Sequence, residues 1–204
     1  MSWAVDEAGK PARLAEGARA ICTTCKGVLR AHCGPIRIWH WHHEGSDCDP
    51  WHEPETDWHQ GWKSQFLEAW REVTQGPHRA DIITIRGLVL EFQHSSLGYN
   101  DYRERERFWG NLVWVFDARS WFDDAFHIRM RPDKFTFRWK QPRQSMFSIR
   151  RPMFLDTGNE LFEITWLSRN TPCGGTGRFI PYREFSRMMK WADPRNPTDV
   201  TPET

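Results

Sequence analysis

The sequence predicts an α/β (α+β) fold, and three observations support this class. Short runs of apolar and β-branched residues at 82–85, 88–90 and 112–116 have the length and composition of strands. Aromatic residues at 58–70 recur at a spacing of four, which is typical of an amphipathic helix. A turn signal, Arg86-Gly87, separates the first two strands. Helical and strand patterns therefore alternate along the chain, as they do in proteins of this class.

Length and composition limit the possible classes of protein. A chain of 204 residues can form one α/β domain with a small appendage. No apolar run approaches the roughly 18 residues of a membrane-spanning helix, and the start Met1-Ser2-Trp3-Ala4-Val5-Asp6 lacks a secretion signal. We therefore expect a cytoplasmic protein without membrane segments. In such a protein the odd cysteine count and the Cys-x-x-Cys spacing indicate metal binding rather than disulfides.

Shifts in composition predict five segments. Residues 1–19 are small and polar without a period, which indicates a flexible arm. Residues 20–53 are crowded with Cys, His, Gly and Pro and leave no room for an apolar core, so a metal would have to organise them. An α/β core is expected at 54–125, a basic β-rich extension with a terminal helix at 126–192, and a disordered tail at 193–204.

The first helix is predicted to begin at Pro54, since proline suits a first helical turn. Its apolar stripe consists of Trp58, Trp62, Phe66 and Trp70. A polar row beside this stripe, also spaced by four, consists of Glu55, His59 and Lys63. The row is either ordinary helix surface or part of a polar site, and the spacing alone leaves both interpretations open.

The hairpin that follows places two acids in a register set by its loop. With the three-residue loop Ile85-Arg86-Gly87, Thr84 pairs with Leu88, and Asp81 then faces Glu91. Directly opposite residues have β-carbons roughly 4.5 to 5.5 Å apart, so the two carboxylates could share Mg²⁺. Gln93 projects from the same face as Glu91. A two-residue loop would separate the acids, and an edge pair with solvated acids is the other interpretation.

The later elements are predicted from their patterns. We expect a helix at 100–109, a buried strand at 112–116, strands at 126–131, 134–139 and 146–150, a hairpin at 153–166 and a helix from Pro181 to Trp191. The charged run 103–107 is usually a solvated helix face.

Cys22 and Cys25 supply half of a tetrahedral zinc site. We select His43 and Cys48 as the other two ligands, with His40 as the first substitute. Four protein ligands define a structural site rather than a catalytic one. The alternative is that these cysteines are simply reduced and buried.

Basic residues are concentrated beyond residue 127, although the net charge of the chain is only +1. The cations expected to follow a DNA backbone are Arg129, Arg131, Lys134, Arg138, Lys140 and Arg143. Aromatic residues lie among them and could stack bases: Phe135, Phe137, Trp139 and Phe147. A solvated sheet face is the alternative.

Six ordered blocks between about residues 20 and 117 carry a family resemblance. They are Cys22-Thr23-Thr24-Cys25, His40-Trp41-His42-His43, Trp58-His59 with Trp62-Lys63, His78-Arg79-Ala80-Asp81-Ile82, Glu91-Phe92-Gln93-His94-Ser95-Ser96 and Arg105-Glu106-Arg107-Phe108-Trp109-Gly110. Together they resemble the competence CoiA-like nuclease family of the PD-(D/E)xK superfamily, in the variant with glutamine at the usual lysine position. The resemblance implies a restriction-endonuclease-like core with a mixed central sheet flanked by helices.

The resemblance also implies a metal-dependent deoxyribonuclease with DNA as its partner. Mg²⁺ or Mn²⁺ would be held by Asp81, Glu91 and the backbone carbonyl of Phe92, and Zn²⁺ would be structural. Gln93 can orient water but carries no charge, so Lys63 is the candidate cation. His59 is expected as a proton-transfer group or substrate contact, and Glu55 as a contact of metal-bound water. The rival hypothesis is a zinc-stabilised nucleic-acid-binding protein whose nuclease site has decayed.

Overall fold

The computed structural model describes residues 4–35, 39–45, 49, 51, 55–132, 135–168 and 173–191. The chain forms two compact units, residues 1–83 and 84–204. No helix in the described part of the chain is long and apolar enough to cross a membrane. The predicted tail at 193–204 lies outside the described residues.

The first unit begins with a four-stranded antiparallel sheet. Its strands, in spatial as well as chain order, are β1 (Ala4–Val5), β2 (Arg19–Cys22), β3 (Val28–His32) and β4 (His40–His43). The inward-facing residues form a small apolar core consisting of Ala4, Ala20, Cys22, Leu29, Ala31 and Trp41. Two expectations are therefore wrong: Ala4 pairs with Cys22 instead of lying in a flexible arm, and the cysteine-rich segment has an apolar core.

The first unit continues with helix α1 (Asp57–Ser64), a 3₁₀ turn (Glu68–Trp70) and the hairpin of β5 (Arg71–Gln75) and β6 (His78–Ile83). Thr56 caps α1 by accepting a hydrogen bond from the His59 N–H. The helix is therefore shorter than predicted, although Trp58, Trp62 and Phe66 are buried as the stripe requires. Sequence patterns do not indicate strand β5, because its residues are mostly polar. Trp70, the residue directly before the strand, also fits the helical spacing of the preceding segment.

The second unit contains seven strands and three helices among its described residues. In chain order these are β7 (Val89–Gln93), α2 (Tyr99–Trp109), β8 (Leu112–Asp117), α3 (Phe122–Ala125), β9 (Phe126–Met130), β10 (Phe135–Trp139), β11 (Met153–Asp156), β12 (Leu161–Ser168), β13 (Gly174–Ile180) and α4 (Tyr182–Trp191). The spatial order is β7-β8-β11-β12-β13-β10-β9, with β7, β8 and β11 parallel and the other pairs antiparallel. The fold is thus mixed α/β, with a large mixed sheet flanked by helices.

The turn before β7 has the predicted three-residue loop. The Thr84 N–H donates to the Leu88 carbonyl at 2.9 Å, and the Gly87 N–H donates to the Thr84 carbonyl at 2.8 Å. Gly87 adopts φ +76°, the left-handed conformation that this loop requires. The loop length assumed in the register argument is therefore confirmed.

One strand predicted in the extension is wrong. Residues 144–148 form a 3₁₀ turn rather than a strand, and the Ser148 hydroxyl donates to the Ser145 carbonyl at 2.7 Å, a local bond that competes with sheet formation. Strand β11 of the extension pairs directly with β8, so both belong to one sheet.

Candidate functional site

Lys63 lies at the centre of a buried charge cluster in the first unit. Its ammonium contacts Glu72, and its Nζ is 2.5 Å from Glu55 Oε1 and 3.4 Å from Asp81 Oδ1. Only 8% of the Lys63 side chain is exposed, and Asp81, at 19%, is the most accessible of the three carboxylates. The polar row of the first helix is therefore not ordinary helix surface.

The local structure explains why these side chains converge. Lys63 lies in the last turn of α1, and Glu55 directly precedes the Thr56 cap. Within the β5–β6 hairpin, Arg71 pairs with Ile82 and Val73 with Ala80, which leaves Glu72 opposite Asp81. Like charges directly opposite each other destabilise a hairpin. The Lys63 ammonium offsets this repulsion.

Glu72 belongs to the cluster and was missed in the sequence, because β5 itself was not recognised. Its φ of +54° lies in the left-handed region, which is costly for a residue with a side chain. Its carboxylate contacts Lys63, and its Oε2 is 2.9 Å from Arg79 Nε. Strain of this kind concentrates at functional sites. The backbone of Glu72 is thus held where its carboxylate meets two cations.

The pKa values of Lys63 and Glu55 are both raised, but for different reasons. Burial alone would lower the pKa of Lys63, but the Glu72, Asp81 and Glu55 carboxylates outweigh it and raise that pKa. Burial raises the pKa of Glu55, and the attraction of Lys63 only partly opposes this effect. Lys63 is therefore a fixed cation at neutral pH, while Glu55 takes up a proton more readily than an ordinary glutamate.

A cavity of about 700 Å³ opens beside the cluster. Glu55, Lys63 and Glu72 contribute to its wall. The rest of its lining includes Gln60, Ser64, Arg71 and Trp39. His59 is buried, and its Nδ1 is 2.8 Å from Thr56 Oγ1, which ties it to the start of the helix. The cluster is thus accessible to a ligand through Glu55, Lys63 and Glu72.

In the second unit, β7 carries Glu91, Phe92 and Gln93, and all three are buried. Glu91 Oε2 is 3.5 Å from Arg105 Nη1, and Arg105 is also buried. The expectation that the whole charged run 103–107 is solvated is therefore wrong for Arg105, and also for Glu106, which is buried too. Asp81 and Glu91 belong to different units. That the two residues face each other therefore remains a prediction.

A second polar group in this unit, also missed in the sequence, centres on the buried Asp117 at the end of β8. Its Oδ2 is 2.9 Å from His94 Nδ1, and Arg119 donates to both carboxylate oxygens at 2.8 and 2.9 Å. Burial raises the pKa of Asp117, but the hydrogen bonds from Arg119 and His94 outweigh it and lower the pKa below its ordinary value. Residues 23 positions apart meet here, and no local motif indicates the contact.

We expect Asp117→Asn to destabilise the protein by about 2 kcal/mol at pH 7, since a buried hydrogen-bonded charge is lost. The pKa of Asp117 is depressed in the folded state, so its contribution is present above the unfolded value of about 3.9 and is lost as the pH falls through the folded value. Urea unfolding from pH 7 into acid should therefore show the free energies of unfolding of the parent protein and Asp117→Asn converging as the pH falls. The exposed Asp123→Asn serves as control, and an equal deficit at every pH would contradict the assignment.

The predicted zinc ligands of the first unit come together. Ligand atoms of Cys22, Cys25 and His43 all lie within 4.8 Å of one another, with Cys25 Sγ 3.4 Å from His43 Nε2. The Gly27 N–H donates to Cys25 Sγ at 3.3 Å, a bond that stabilises a thiolate. A β-carbon at Gly27 would lie 3.1 Å from that sulfur. Two thiolates and one imidazole fit zinc, so this cluster could hold such a metal.

The strand geometry selects His43 over the substitute His40. The two residues are three apart on β4, so their side chains lie on opposite faces. His40 instead packs edge-on against His32, with ring centroids 5.4 Å apart. Cys48, the predicted fourth ligand, lies outside the described residues.

The predicted DNA-binding cations that the structure describes are all exposed, namely Arg129, Arg131, Arg138, Lys140 and Arg143. Lys134 lies outside the described residues. Of the four aromatic residues predicted among these cations, Phe137 and Trp139 are buried at 6% and 2% exposure, whereas Phe135 and Phe147 are half-buried. The expectation that Phe137 and Trp139 stack bases is therefore wrong.

Comparisons with family models, with curated proteins and with solved structures find no match to this chain.

Proposed function

We propose that this protein is a metal-dependent nuclease that hydrolyses phosphodiester bonds of DNA. The observation that carries the proposal is the burial of Lys63 among Glu55, Glu72 and Asp81 at the wall of an accessible cavity. Holding four charged groups together in a largely buried cluster is costly and does little for stability, so such clusters are common at sites of function. The CoiA-like resemblance supplies the specific chemistry.

The carboxylates fit Mg²⁺ or Mn²⁺, which prefer oxygen ligands. Asp81 and Glu91, with the Phe92 carbonyl, are the proposed ligands; the three-residue turn supports the register that would place Asp81 opposite Glu91. Bound there, the ion would activate water and neutralise phosphate charge.

The protein's own groups would complete the chemistry. Lys63 would place a permanent positive charge beside the phosphate, the role that Gln93 cannot fill. The raised pKa of Glu55 suits a group that accepts a proton from water. Gln93 would orient that water. His59 is proposed as a positioning residue for α1 because it bonds Thr56.

The test is cleavage of plasmid and single-stranded DNA over a Mg²⁺ or Mn²⁺ titration, with EDTA as control. We expect cleavage that requires the metal and saturates with it. Absence of cleavage with both ions and both substrates, from folded protein, would overturn the proposal.

Lys63→Ala should lower turnover by a factor on the order of 10² to 10³, the range for losing one preorganised charge stabiliser. Lys63→Arg should retain part of the activity, and Gln93→Lys should partly rescue Lys63→Ala. Because Lys63→Ala also leaves three carboxylates without their common cation, thermal melting must accompany the kinetics. Unaltered turnover in a folded Lys63→Ala protein would contradict this role.

The second candidate function is DNA binding by a zinc-stabilised protein with a decayed site. Gln93 favours it, because this residue is neutral and buried at the position where the resembled PD-(D/E)xK pattern usually has lysine. Metal-independent DNA binding without any cleavage would support this alternative.

A further inference from the structure

A second cleft lies in the second unit, between α3 and the segment that follows β10. Its volume is about 240 Å³. The lining consists of Trp121, Asp124, Ala125, Trp139, Lys140, Gln141 and Arg143. These residues play no part in the proposed chemistry, although Lys140 and Arg143 were expected to contact DNA.

Trp121 is the aromatic platform of this cleft. It is half-buried, and it stacks on the buried Trp139 with ring centroids 6.0 Å apart and an angle of 7° between the planes. Its indole N–H donates to the Asp117 carbonyl at 3.0 Å, which fixes the plane of the ring. A rigid indole supported from behind is suited to stack a planar ligand, and nucleobases stack on such platforms regardless of sequence.

The charges of the cleft favour an anionic ligand. Lys140 and Arg143 are exposed, and Asp124 is the single acid in the lining. Gln141 offers a donor and an acceptor for a base edge. The large cavity beside Lys63 differs, because its lining carries more carboxylates than cations and would repel a phosphate in the absence of metal.

The cleft also contacts the segment that follows the strand carrying Glu91. The Arg143 guanidinium donates to the Ser96 hydroxyl, three residues beyond the end of β7. A DNA strand held by Arg143 would thus run beside the segment after Gln93.

We propose that this cleft binds one unpaired nucleotide of a DNA strand, with its base on Trp121 and its phosphate on Lys140 and Arg143. The inference rests on the proposed nuclease function and specifies the substrate class, DNA with a single-stranded part. A base inside a duplex is stacked on both sides and cannot reach an indole without being unpaired.

The test is fluorescence anisotropy with a labelled oligothymidylate of about 12 nucleotides and with a duplex of equal length. An Asp81→Asn background, without chelator, prevents cleavage and preserves any zinc. Trp121→Leu should weaken single-strand binding by about fivefold or more, the loss expected for one stacked base, and leave duplex binding unchanged. Trp166→Leu, which removes an exposed tryptophan outside the cleft, should change neither affinity.

Since Trp121→Leu can disturb packing against Trp139, the double variant Lys140→Gln and Arg143→Gln provides an independent arm on exposed residues. It should lower single-strand affinity more than duplex affinity. If both Trp121→Leu and the double variant keep the parental single-strand affinity, the proposed nucleotide site is wrong, even if cleavage is found. Loss of single-strand affinity in either folded arm would support the cleft, even if no cleavage is found.

Discussion

Asp81→Asn should reduce DNA cleavage by about 10³-fold or more, a barrier increase of about 4 kcal/mol. Asparagine keeps the shape of the side chain but removes the charge that a divalent cation requires. Asp81 is the most exposed of the three carboxylates around Lys63, and Lys63 retains Glu55 and Glu72 in the variant. We therefore expect a folded protein with impaired metal-dependent chemistry, measured as plasmid cleavage over a metal titration.

Two controls accompany this variant. Asp123→Asn removes an exposed carboxylate of the same type and should cleave at the parental rate. Thermal melting should show Asp81→Asn folded at the assay temperature. Parental cleavage by folded Asp81→Asn would remove Asp81 from the proposed site, whereas DNA affinity should be nearly unchanged, since the exposed cations of the second unit are intact.

Cys22→Ser should abolish zinc binding and unfold the sheet formed by β1 to β4. Cys22 is fully buried in the small apolar core and supplies one of the three clustered ligands. Structural zinc contributes about 10 to 16 kcal/mol of apparent binding free energy in zinc-finger peptides, far more than a core this small can replace. Elemental analysis and hydrogen exchange of this region measure the two effects.

Cys33→Ser is the matched control, because Cys33 packs against the same core but is not part of the ligand cluster. This variant should keep its zinc and its exchange protection. Parent protein purified without chelator should contain about one zinc per chain, as a single four-ligand site requires. A parent protein free of zinc would contradict the zinc assignment. Cys22 and Cys25 would then be two reduced thiols beside His43.

The cluster of Cys22, Cys25 and His43 was largely predictable because its information is local. The Cys-x-x-Cys spacing indicated two ligands, and His43 was selected as a third. Deciding between His43 and His40 required strand β4, since only an observed strand assigns residues three apart to opposite faces. The Lys63 row shows the same limit: its spacing was visible, but its burial depends on β5, and β5 has no apolar alternation to indicate it.

Strand β13 shows why part of the sheet could not be predicted. Its sequence is rich in glycine, which is depleted in strands. The glycines are required by packing, because a β-carbon at Gly175 would lie 2.0 Å from the Trp166 carbonyl oxygen and one at Gly177 would lie 2.4 Å from the Phe162 ring. A sequence pattern cannot anticipate this close approach, which depends on residues brought together only by the fold.

The left-handed backbone at Glu72 has a consequence for engineering this protein. A procedure that optimises stability alone would choose glycine there, and the change would relieve a conformational cost of about 1 to 2 kcal/mol. It would also remove the carboxylate that Lys63 and Arg79 share. At this position backbone preference and side-chain chemistry favour different residues, so a stabilised design that keeps the charge cluster must exempt Glu72 from optimisation.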